Sequence, residues 1–242
     1  MKLYAIGLGP GDTEYLVPRA REAILSCDVV VGYDAYVELI GELTHGKEVI
    51  ATGMMGEVER CEAALREALA GRQVCVVSSG DAGVYGMATL LFELAEKHPE
   101  LKIEVVPGIT AANASAALLG SPLSNDFAVI SLSDLLTPWD VIEKRINGAS
   151  MADFALCFYN PQSKKRSDYL QKACDIALQY KPAETACGYV RNALRGEDGD
   201  CKICTLAELR DTQVDMFTTV IIGNASTRVI NNRLVTARGY EL

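Results

Sequence analysis

The chain has 242 residues, of which 49% are hydrophobic and 23% charged, and its formal net charge is −9. This length suits one large or two medium domains, and the composition is typical of a soluble globular protein. The acidic balance argues against a nucleic-acid partner, because affinity for phosphate backbones comes mostly from clustered lysine and arginine.

The sequence pattern predicts neither a membrane span nor a signal peptide. No apolar run reaches the roughly 18 residues that a membrane-spanning helix needs. The N-terminus leads directly into a predicted strand, without the basic and apolar regions of a signal peptide. We therefore expect a cytoplasmic protein with no membrane partner.

The eight cysteines are expected to be free thiols. Cysteines inside strands and helices of a cytoplasmic protein are usually small buried side chains. Six of the eight lie in such runs: Cys27, Cys61, Cys75, Cys157, Cys174 and Cys187. Cys201 and Cys204 form a Cys-x-x-Cys pair, but no second pair or nearby histidine completes four metal ligands, so we predict no metal site.

Strand-like and helix-like runs alternate along the chain, which predicts an α/β fold with mostly parallel sheets. The predicted strands cover residues 2–6, 28–31, 47–51, 74–77, 102–106, 127–132, 154–158, 185–190 and 215–222. The predicted helices cover residues 13–27, 36–40, 58–70, 87–97, 164–180 and 205–209, with a small-sided helix ending at Leu118 and another beginning near Trp139. For the helix near Trp139, Thr137 is the expected cap and Pro138 the expected first-turn residue.

The segment Gly120-Ser121-Pro122 interrupts this alternation near the middle of the chain. A Gly/Pro break between runs of elements predicts a boundary, here between domains 1–121 and 122–242. The tail from Arg228 reads as an edge segment or a helix remnant.

A glycine turn, Gly7-Leu8-Gly9-Pro10-Gly11-Asp12, follows the first predicted strand. It departs from a Rossmann fingerprint, because Asp12 stands where the third glycine belongs and Pro10 has no N–H to donate to a pyrophosphate. Residues 41–47 read G-x-x-x-x-G-K, but Glu48 replaces the Ser or Thr of a P-loop. Neither segment predicts a phosphate cradle.

The unusual loops all follow predicted strands. They come after Ile6, Val31, Val77, Val106, Phe158 and Val190. Because ligands of open α/β sheets bind outside the carboxyl ends of the strands, these loops predict a common cleft. They supply glycines, hydroxyls, tyrosines and one central carboxylate, Asp81, whereas His45 and His98 lie elsewhere. A cleft without a nucleophile and its histidine base suits chemistry carried by a bound cofactor.

Three of these loops resemble the tetrapyrrole (class III) methyltransferases, which use S-adenosylmethionine. The motifs are Gly7–Asp12, Ser78–Met87 and Val106–Ala111. Residues 31–36, 127–139 and 159–166 look like the branch of that family that methylates C17 of cobalt-factor III or precorrin-3B in cobalamin biosynthesis. The resemblance extends over essentially the whole chain.

The resemblance implies a tetrapyrrole methylase fold with two αβα domains, mostly parallel sheets and the active site in the cleft between them. It also implies a homodimer, a tetrapyrrole substrate, S-adenosylmethionine as cofactor and S-adenosylhomocysteine as product. The residues that it assigns to the cofactor are Pro10, Gly80, Asp81, Gly83, Val84, Thr110, Ala111, Tyr159, Asn160, Asn192, Thr218 and Thr219. Pro10 shapes the trough, the turns at Asp81 and Thr110 face the amino-acid and ribose parts, and the later residues surround the adenine.

The reaction that the resemblance implies is an SN2 methyl transfer governed by alignment of donor and acceptor. In this family, methylation at C17 accompanies contraction of the ring, a step that needs an acid or base. The candidates are Asp12, Asp34 and Ser131. Relatives commonly carry histidine at the position of Asn125, which weakens the case for an imidazole role there.

Alternatives stay open at this point. A methyltransferase of the same fold could act on another corrin carbon, on RNA or on protein, and a non-catalytic nucleotide-binding module could carry similar loops. The sequence does not separate a cobalt-containing from a metal-free substrate, although its cysteine usage favours the cobalt-dependent, anaerobic route. The cluster Lys164-Lys165-Arg166 is either a site for a local anion or a solvated basic turn.

Overall fold

The computed structural model describes residues 2–196 and 200–241. The chain divides into two compact units, Met1–Ala111 and Ala112–Leu242. The domain boundary predicted between residues 121 and 122 lies beyond this division and stays a prediction. No helix among the described residues is long and apolar enough to cross a membrane.

The first unit is built on one five-stranded parallel sheet. Its strands and helices are β1 (Lys2–Gly7), α1 (Pro18–Ser26), β2 (Val29–Tyr33), α2 (Asp34–Glu38), β3 (Glu48–Thr52), α3 (Glu57–Leu69), β4 (Val74–Ser78), α4 (Ala88–Leu94) and β5 (Lys102–Val106). The strands lie in the order β3-β2-β4-β1-β5, and each neighbouring pair is parallel. The parallel arrangement predicted from the alternation of elements is confirmed for this unit.

Both faces of this sheet are buried. Val29 and Val31 pack in one apolar cluster with residues of α3 and α4, whereas Val30 packs in a second cluster with residues of α1. A strand that is covered on both faces must be apolar at successive positions. This is why residues 29–31 and 74–77 read as continuous apolar runs.

Single residues set the ends of two helices in the first unit. Gly71 follows α3 with φ of +94°, the left-handed conformation that closes a helix, as predicted. The helix predicted over residues 13–27 is wrong in its first turns, because α1 begins at Pro18 and Thr13–Tyr15 form a separate 3-10 turn. Proline suits the first helical position, where its missing N–H has no partner to lose.

The second unit carries a mixed sheet. Helix α5 (Ala111–Leu119) begins at the division, and the further elements are β6 (Gly120–Ser121), β7 (Phe127–Ser131), α6 (Trp139–Met151), β8 (Ala155–Tyr159), α7 (Tyr169–Ala177), β9 (Ala186–Arg191), β10 (Asp200–Thr205), α8 (Leu206–Arg210), β11 (Thr218–Ile222), β12 (Thr227–Ile230) and β13 (Arg233–Thr236). The main sheet has the order β10-β9-β11-β8-β7. Strands β7 and β8 are parallel, and the other three neighbouring pairs are antiparallel. The expected parallel arrangement therefore does not extend to this sheet.

Strand β10 accounts for part of this difference, since the sequence pattern predicts no strand at residues 200–205. It pairs antiparallel with β9, from Asp200 opposite Arg191 to Thr205 opposite Ala186. The connection from Arg191 to Asp200 is too short for the crossover of a dozen or more residues that a parallel neighbour requires.

The tail forms strands, so the helix-remnant interpretation of residues 228–242 is wrong. Strands β12 and β13 form an antiparallel hairpin, and β13 also pairs with β6. Asn231 and Asn232 connect the hairpin strands with φ of +49° and +58°. Two successive left-handed residues are the signature of a type I′ turn, which asparagine tolerates well.

Two predicted helix starts in the second unit need correction. The helix predicted to open at Lys164 begins at Tyr169, because the segment before it turns back on itself, with Ser163 bridged to Arg166. The N-cap of α6 is Pro138, and no side chain caps this helix, so the predicted Thr137 cap is wrong.

Candidate active site

Three glycine-containing turns meet at the carboxyl edge of the parallel sheet, after β1, β4 and β5. The N–H of Leu8 donates to the carbonyl of Ser78 at 2.8 Å. Gly9 and Gly80 exchange two backbone hydrogen bonds of 3.0 and 2.7 Å. The parallel register that aligns Gly7 with Ser78 brings these turns side by side, as expected for loops at the same end of parallel strands.

Glycine at this edge is required by the close approach of the backbones. A Cβ on Gly7 would lie 2.6 Å from the carbonyl oxygen of Gly80 and 2.7 Å from the nitrogen of Gly108. A Cβ on Gly108 would overlap the same Gly80 oxygen. The three turns are thus held together by main-chain contact, with no room for a side chain between them.

The Asp81 carboxylate joins two of these turns. Its Oδ1 accepts the N–H groups of Gly83 at 2.7 Å and Val84 at 3.2 Å. Its Oδ2 accepts the N–H of Gly108 at 2.9 Å. Three backbone donors occupy most of the acceptor capacity of a carboxylate. Asp81 therefore fixes the shape of the turns that the resemblance assigned to the cofactor.

The other predicted cofactor residues of the first unit surround this junction. Pro10 is buried beneath the first turn. The positions of Thr110 Cα and Ala111 N lie 3.7 and 3.8 Å from where a Cβ on Gly80 would stand. Val84 is exposed at the tip of the second turn, next to Tyr85, whose φ of +54° is uncommon for a bulky residue. Such strained positions cluster at functional sites.

Two of the three predicted acid–base residues belong to this unit, and the structure does not bring them together. Asp12 is exposed and caps the 3-10 turn by accepting the N–H of Glu14 at 3.2 Å. Asp34 is exposed at the first position of α2. They follow β1 and β2, which are separated in the sheet by β4.

The later predicted residues lie at one edge of the second unit's main sheet. Strands β8 and β9 are each antiparallel to β11, so their carboxyl ends lie at the edge where β11 begins. The residues at this edge are Ser131, Tyr159, Asn160, Arg191, Asn192, Thr218 and Thr219. Thr218 pairs with Arg191 and Ser131 pairs with Tyr159. The structure thus brings together the residues predicted for the adenine side, and Ser131 with them.

At this edge, the predicted side chains of Tyr159, Asn160 and Ser131 form hydrogen bonds within the protein. The hydroxyl of Tyr159 accepts the N–H of Ala112 at 2.7 Å, in the first turn of α5. Asn160 donates from Nδ2 to Oγ of Ser131 at 3.1 Å, and Ser133 donates its N–H to the same oxygen at 3.3 Å. Ser131 therefore accepts two N–H donors.

The backbone reverses at the same point after two of these strands. Asn160 follows β8 and Asn192 follows β9, and each has φ of +50°. Asparagine is several-fold enriched in this left-handed region. Asparagine therefore suits both positions because it tolerates this backbone conformation, in addition to offering a polar side chain.

Asp215 organises the start of β11, and sequence reasoning missed it. Its carboxylate accepts from Nε of Arg191 at 2.7 Å, Oγ1 of Thr218 at 3.0 Å and the N–H of Phe217 at 3.0 Å. Partial desolvation alone would raise the pKa of Asp215, but the hydrogen bonds from Arg191 and Thr218 outweigh it and lower the pKa. Thr218 is therefore held by an ionised neighbour.

A second missed network links two of the three motifs that resemble the C17 branch, residues 127–139 and 159–166. Asp134 accepts from the hydroxyl of Tyr169 at 2.6 Å and from Nη1 of Arg166 at 3.1 Å. These two donors lower the pKa of Asp134, Tyr169 more than Arg166. The ring of Tyr169 also packs on Trp139 at 4.4 Å between centroids. Arg166 is thus paired within the protein, which makes a free anion site at Arg166 unnecessary.

The Cys-x-x-Cys pair lies in β10, and its geometry is that of a strand. Residues three apart on a strand point to opposite faces. Cys201 is exposed, whereas Cys204 packs against the core of the second unit. No group of three or more metal-ligating side chains suited to a metal ion occurs in the part of the chain that is described.

Comparison with known proteins identifies this arrangement. A model of the tetrapyrrole (corrin/porphyrin) methylases matches residues 2–210. The chain belongs to this family. It is 46% identical over 241 residues to the probable cobalt-factor III C(17)-methyltransferase of Salmonella typhimurium, spanning 99% of this chain and 100% of that protein. It is 44% identical over 245 residues to the cobalt-factor III methyltransferase of Priestia megaterium, but spans only 45% of that longer protein.

Solved structures agree with the family assignment. The methyltransferase CobJ matches with a TM-score of 0.90 and 37% identity, covering 97% of this chain and 99% of CobJ. The cobalt precorrin-4 methyltransferase CbiF matches with a TM-score of 0.77 and 25% identity, covering 92% and 94%. The tetrapyrrole methylase fold expected from the sequence is confirmed, together with methyltransferase activity and S-adenosylmethionine as the cofactor.

The glycine-turn edge fits this cofactor. S-adenosylmethionine combines an amino acid, a sulfonium and a nucleoside, and needs close backbone approach more than a charged cradle. The described turns offer glycine backbones packed too closely for a Cβ, and three N–H donors occupy most of the acceptor capacity of the Asp81 carboxylate. The residues that would hold the cofactor in this unit are those around Gly80, Asp81 and Thr110.

Proposed function

We propose that this protein transfers a methyl group from S-adenosylmethionine to C17 of cobalt-factor III in cobalamin biosynthesis. The observation that carries the proposal is the 46% identity to the Salmonella typhimurium relative over the full length of both chains. The probable cobalt-factor III C(17)-methyltransferases of Methanothermobacter thermautotrophicus and Methanocaldococcus jannaschii are 42% and 41% identical to this protein over 98% of this chain. The shared name supports the cobalt-containing substrate over metal-free precorrin-3B.

The role of this chain in methyl transfer is to position the reactants. The bound cofactor supplies an electrophilic methyl group on a positively charged sulfur, whose departure needs no acid. The turns around Gly80 and Thr110 are locked by Asp81 and by backbone hydrogen bonds, so they are formed before any ligand binds. Correct alignment of donor and acceptor can contribute about 7–11 kcal/mol to catalysis. Rigid turns that align the two reactants can therefore account for catalysis without an enzymic nucleophile.

Contraction of the ring belongs to the same proposal and needs proton transfer. Of the three candidates, Asp12 already serves as a turn cap and Asp34 is exposed on a short helix. Ser131 is half-buried and accepts N–H groups from Asn160 and Ser133. Donors aimed at an oxygen stabilise negative charge on it, so we favour Ser131 as the residue that handles a proton.

The test is incubation of the purified protein with ¹³C-methyl S-adenosylmethionine and either cobalt-factor III or metal-free precorrin-3B. Mass spectrometry counts the methyl groups, and ¹³C NMR locates them. We expect one labelled methyl at C17, transferred faster to cobalt-factor III, and we expect Ser131→Ala to accumulate methylated pigment with an uncontracted ring. Label on another carbon, or reaction of the metal-free pigment alone, contradicts the proposal.

The homodimer implied by the resemblance and the cytoplasmic location expected from the sequence pattern both stay part of the proposal. Light scattering on the protein used for the assay checks the first. We expect about twice the chain mass of 26.1 kDa, and a mass of one chain contradicts the dimer.

A further inference from the structure

Arg60 is a buried cation that has no acidic partner among residues 2–196 and 200–241. It lies in the first turn of α3 and is only 4% exposed. Its Nε donates to Oγ1 of Thr52 at 2.8 Å, and its Nη2 donates to the carbonyl of Gly53 at 2.7 Å. Both acceptors are neutral. No carboxylate of the described residues lies within ion-pair distance of the guanidinium.

This placement is unfavourable for an arginine whose task is only structural. A buried charge is costly unless a charge of opposite sign accompanies it. The start of a helix carries a positive partial charge, which disfavours a second cation there. The ring of Tyr33, 5.8 Å from the guanidinium carbon, compensates in part. An anion would compensate more.

The guanidinium keeps donors for such an anion. Arginine has five N–H donors, and the neutral acceptors at Thr52 and Gly53 use two of them. Among the described residues, the enclosed side-chain polar atoms that lack a partner are the hydroxyls of Ser115 and Ser150. Nη1 of Arg60 has no hydrogen bond within the described residues and is not among those enclosed atoms, so this nitrogen keeps some contact with solvent.

Arg60 acts at the same sheet edge as the glycine turns. Its partner Thr52 ends β3, and Tyr33 ends β2 directly opposite Thr52 in the parallel register. Strand β2 is the neighbour of β4, which leads into the turn of Asp81. The residues that Arg60 contacts therefore lie at the carboxyl ends of β2 and β3, next to the turn of Asp81 that is proposed to bind the cofactor.

The loop that supplies the Gly53 carbonyl to Arg60 also carries exposed apolar side chains. The loop between β3 and α3 exposes Met54 and Met55, with 59% and 78% of their surface accessible. A cation beside exposed methionines matches a ligand that has an apolar body and an acidic rim. A tetrapyrrole with carboxylate side chains around its ring is such a ligand.

We propose that Arg60 binds a peripheral carboxylate of the tetrapyrrole and so orients the ring beside the cofactor turns. The proposal rests on the proposed function for the identity of the substrate. Thr52, Gly53 and Tyr33 hold the guanidinium in place, which leaves its free N–H groups directed to a planar carboxylate. Arg60 is a binding residue for the substrate, with no part in the transfer of the methyl group.

The test compares Arg60→Gln, Arg60→Lys and Arg66→Gln with the wild-type protein. Arg66 is a matched control, because it is exposed on the same helix. We expect Arg60→Gln to raise KM for cobalt-factor III about tenfold, the effect of losing a hydrogen bond to a charged group. Arg60→Lys should raise KM less, since lysine keeps the charge without the planar fork. The Kd of S-adenosylhomocysteine, from calorimetry, should stay within about twofold in all variants.

Three results overturn the proposal. The first is an unchanged KM in Arg60→Gln, and the second is an equal KM in the Gln and Lys variants. The third is a parallel loss of S-adenosylhomocysteine affinity, which indicates that Arg60 only supports the fold. If circular dichroism shows that Arg60→Gln does not fold, Arg60→Lys decides, and an unchanged KM in that variant refutes the proposal.

Failure of the proposed function gives a different result. In that case the wild-type protein transfers no methyl group to either pigment. Absorbance titration of the same proteins with cobalt-factor III then tests Arg60 by Kd, with the same expected order of wild type, Lys variant and Gln variant. Equal Kd values overturn the Arg60 proposal.

Discussion

The sequence motif predicted the position of Asp81 but not the groups that its carboxylate contacts. The sequence places a carboxylate at the centre of a glycine turn, and the family resemblance assigns it to the cofactor. The structure gives its oxygens three backbone donors, from Gly83, Val84 and Gly108. The donor from Gly108 lies 27 residues further along the chain, and a partner so distant in sequence has no local signal.

Asp81→Asn should destabilise the protein, because an amide offers one acceptor oxygen where the carboxylate offers two. We expect a loss of about 1–3 kcal/mol in the free energy of unfolding, measured by urea denaturation. Asp12→Asn is the control, since Asp12 caps an exposed turn and asparagine caps equally well. Equal stability of Asp81→Asn and wild type would show that the carboxylate does not hold the turns.

For Asn160 and Asn192, too, the sequence predicted the position but not the structural role. Their positions after strands β8 and β9 were predictable from the apolar runs that precede them. Their left-handed φ of +50° was not, because only proline fixes φ by its own chemistry, and asparagine is enriched in the left-handed region without being confined to it.

Among the elements, the pattern of apolar runs predicted the strands that are buried. It did not predict whether neighbouring strands are parallel or antiparallel. Strands buried on both faces, such as β2 and β4, stand out in sequence as continuous apolar runs. Strand β10 reads Asp-Cys-Lys-Ile-Cys-Thr and has no fully buried residue, so it gives a weak signal. The antiparallel course of β10 follows from its short connection to β9, and that of β11 follows from pairing with neighbours distant in the chain; periodicity records neither.

The close packing of the three turns predicts that Gly108 does not tolerate a side chain. Because a Cβ there would overlap the carbonyl of Gly80, Gly108→Ala must push apart the turns after β4 and β5. We expect a loss of at least about 2 kcal/mol in the free energy of unfolding, as for overpacking in a rigid site. Differential scanning calorimetry measures it.

Gly148→Ala is the control for this change. Gly148 lies inside α6, and a Cβ there meets nothing within 4 Å. Alanine should therefore stabilise that helix by about 0.5–1 kcal/mol. If Gly108→Ala is as stable as Gly148→Ala, the turns are not packed as described.

For the whole molecule, composition predicted the class of protein and the state of most thiols. Six cysteines are buried, and burial raises the pKa of Cys61 to about 11 and the pKa of Cys157 and Cys174 to about 12. Such thiols stay protonated at neutral pH and act as small apolar side chains. Function came from motifs distributed along the chain, since neither composition nor periodicity distinguishes a methyltransferase from other α/β proteins.

Both the proposed methyl transfer and the proposed role of Arg60 require the turns after β1, β4 and β5 to form a site for S-adenosylmethionine. Calorimetric titration of the full chain with S-adenosylhomocysteine tests this directly. We predict saturable binding with one site per chain, and an affinity at least about tenfold weaker in Gly108→Ala. A folded wild-type protein that binds no S-adenosylhomocysteine would contradict the account.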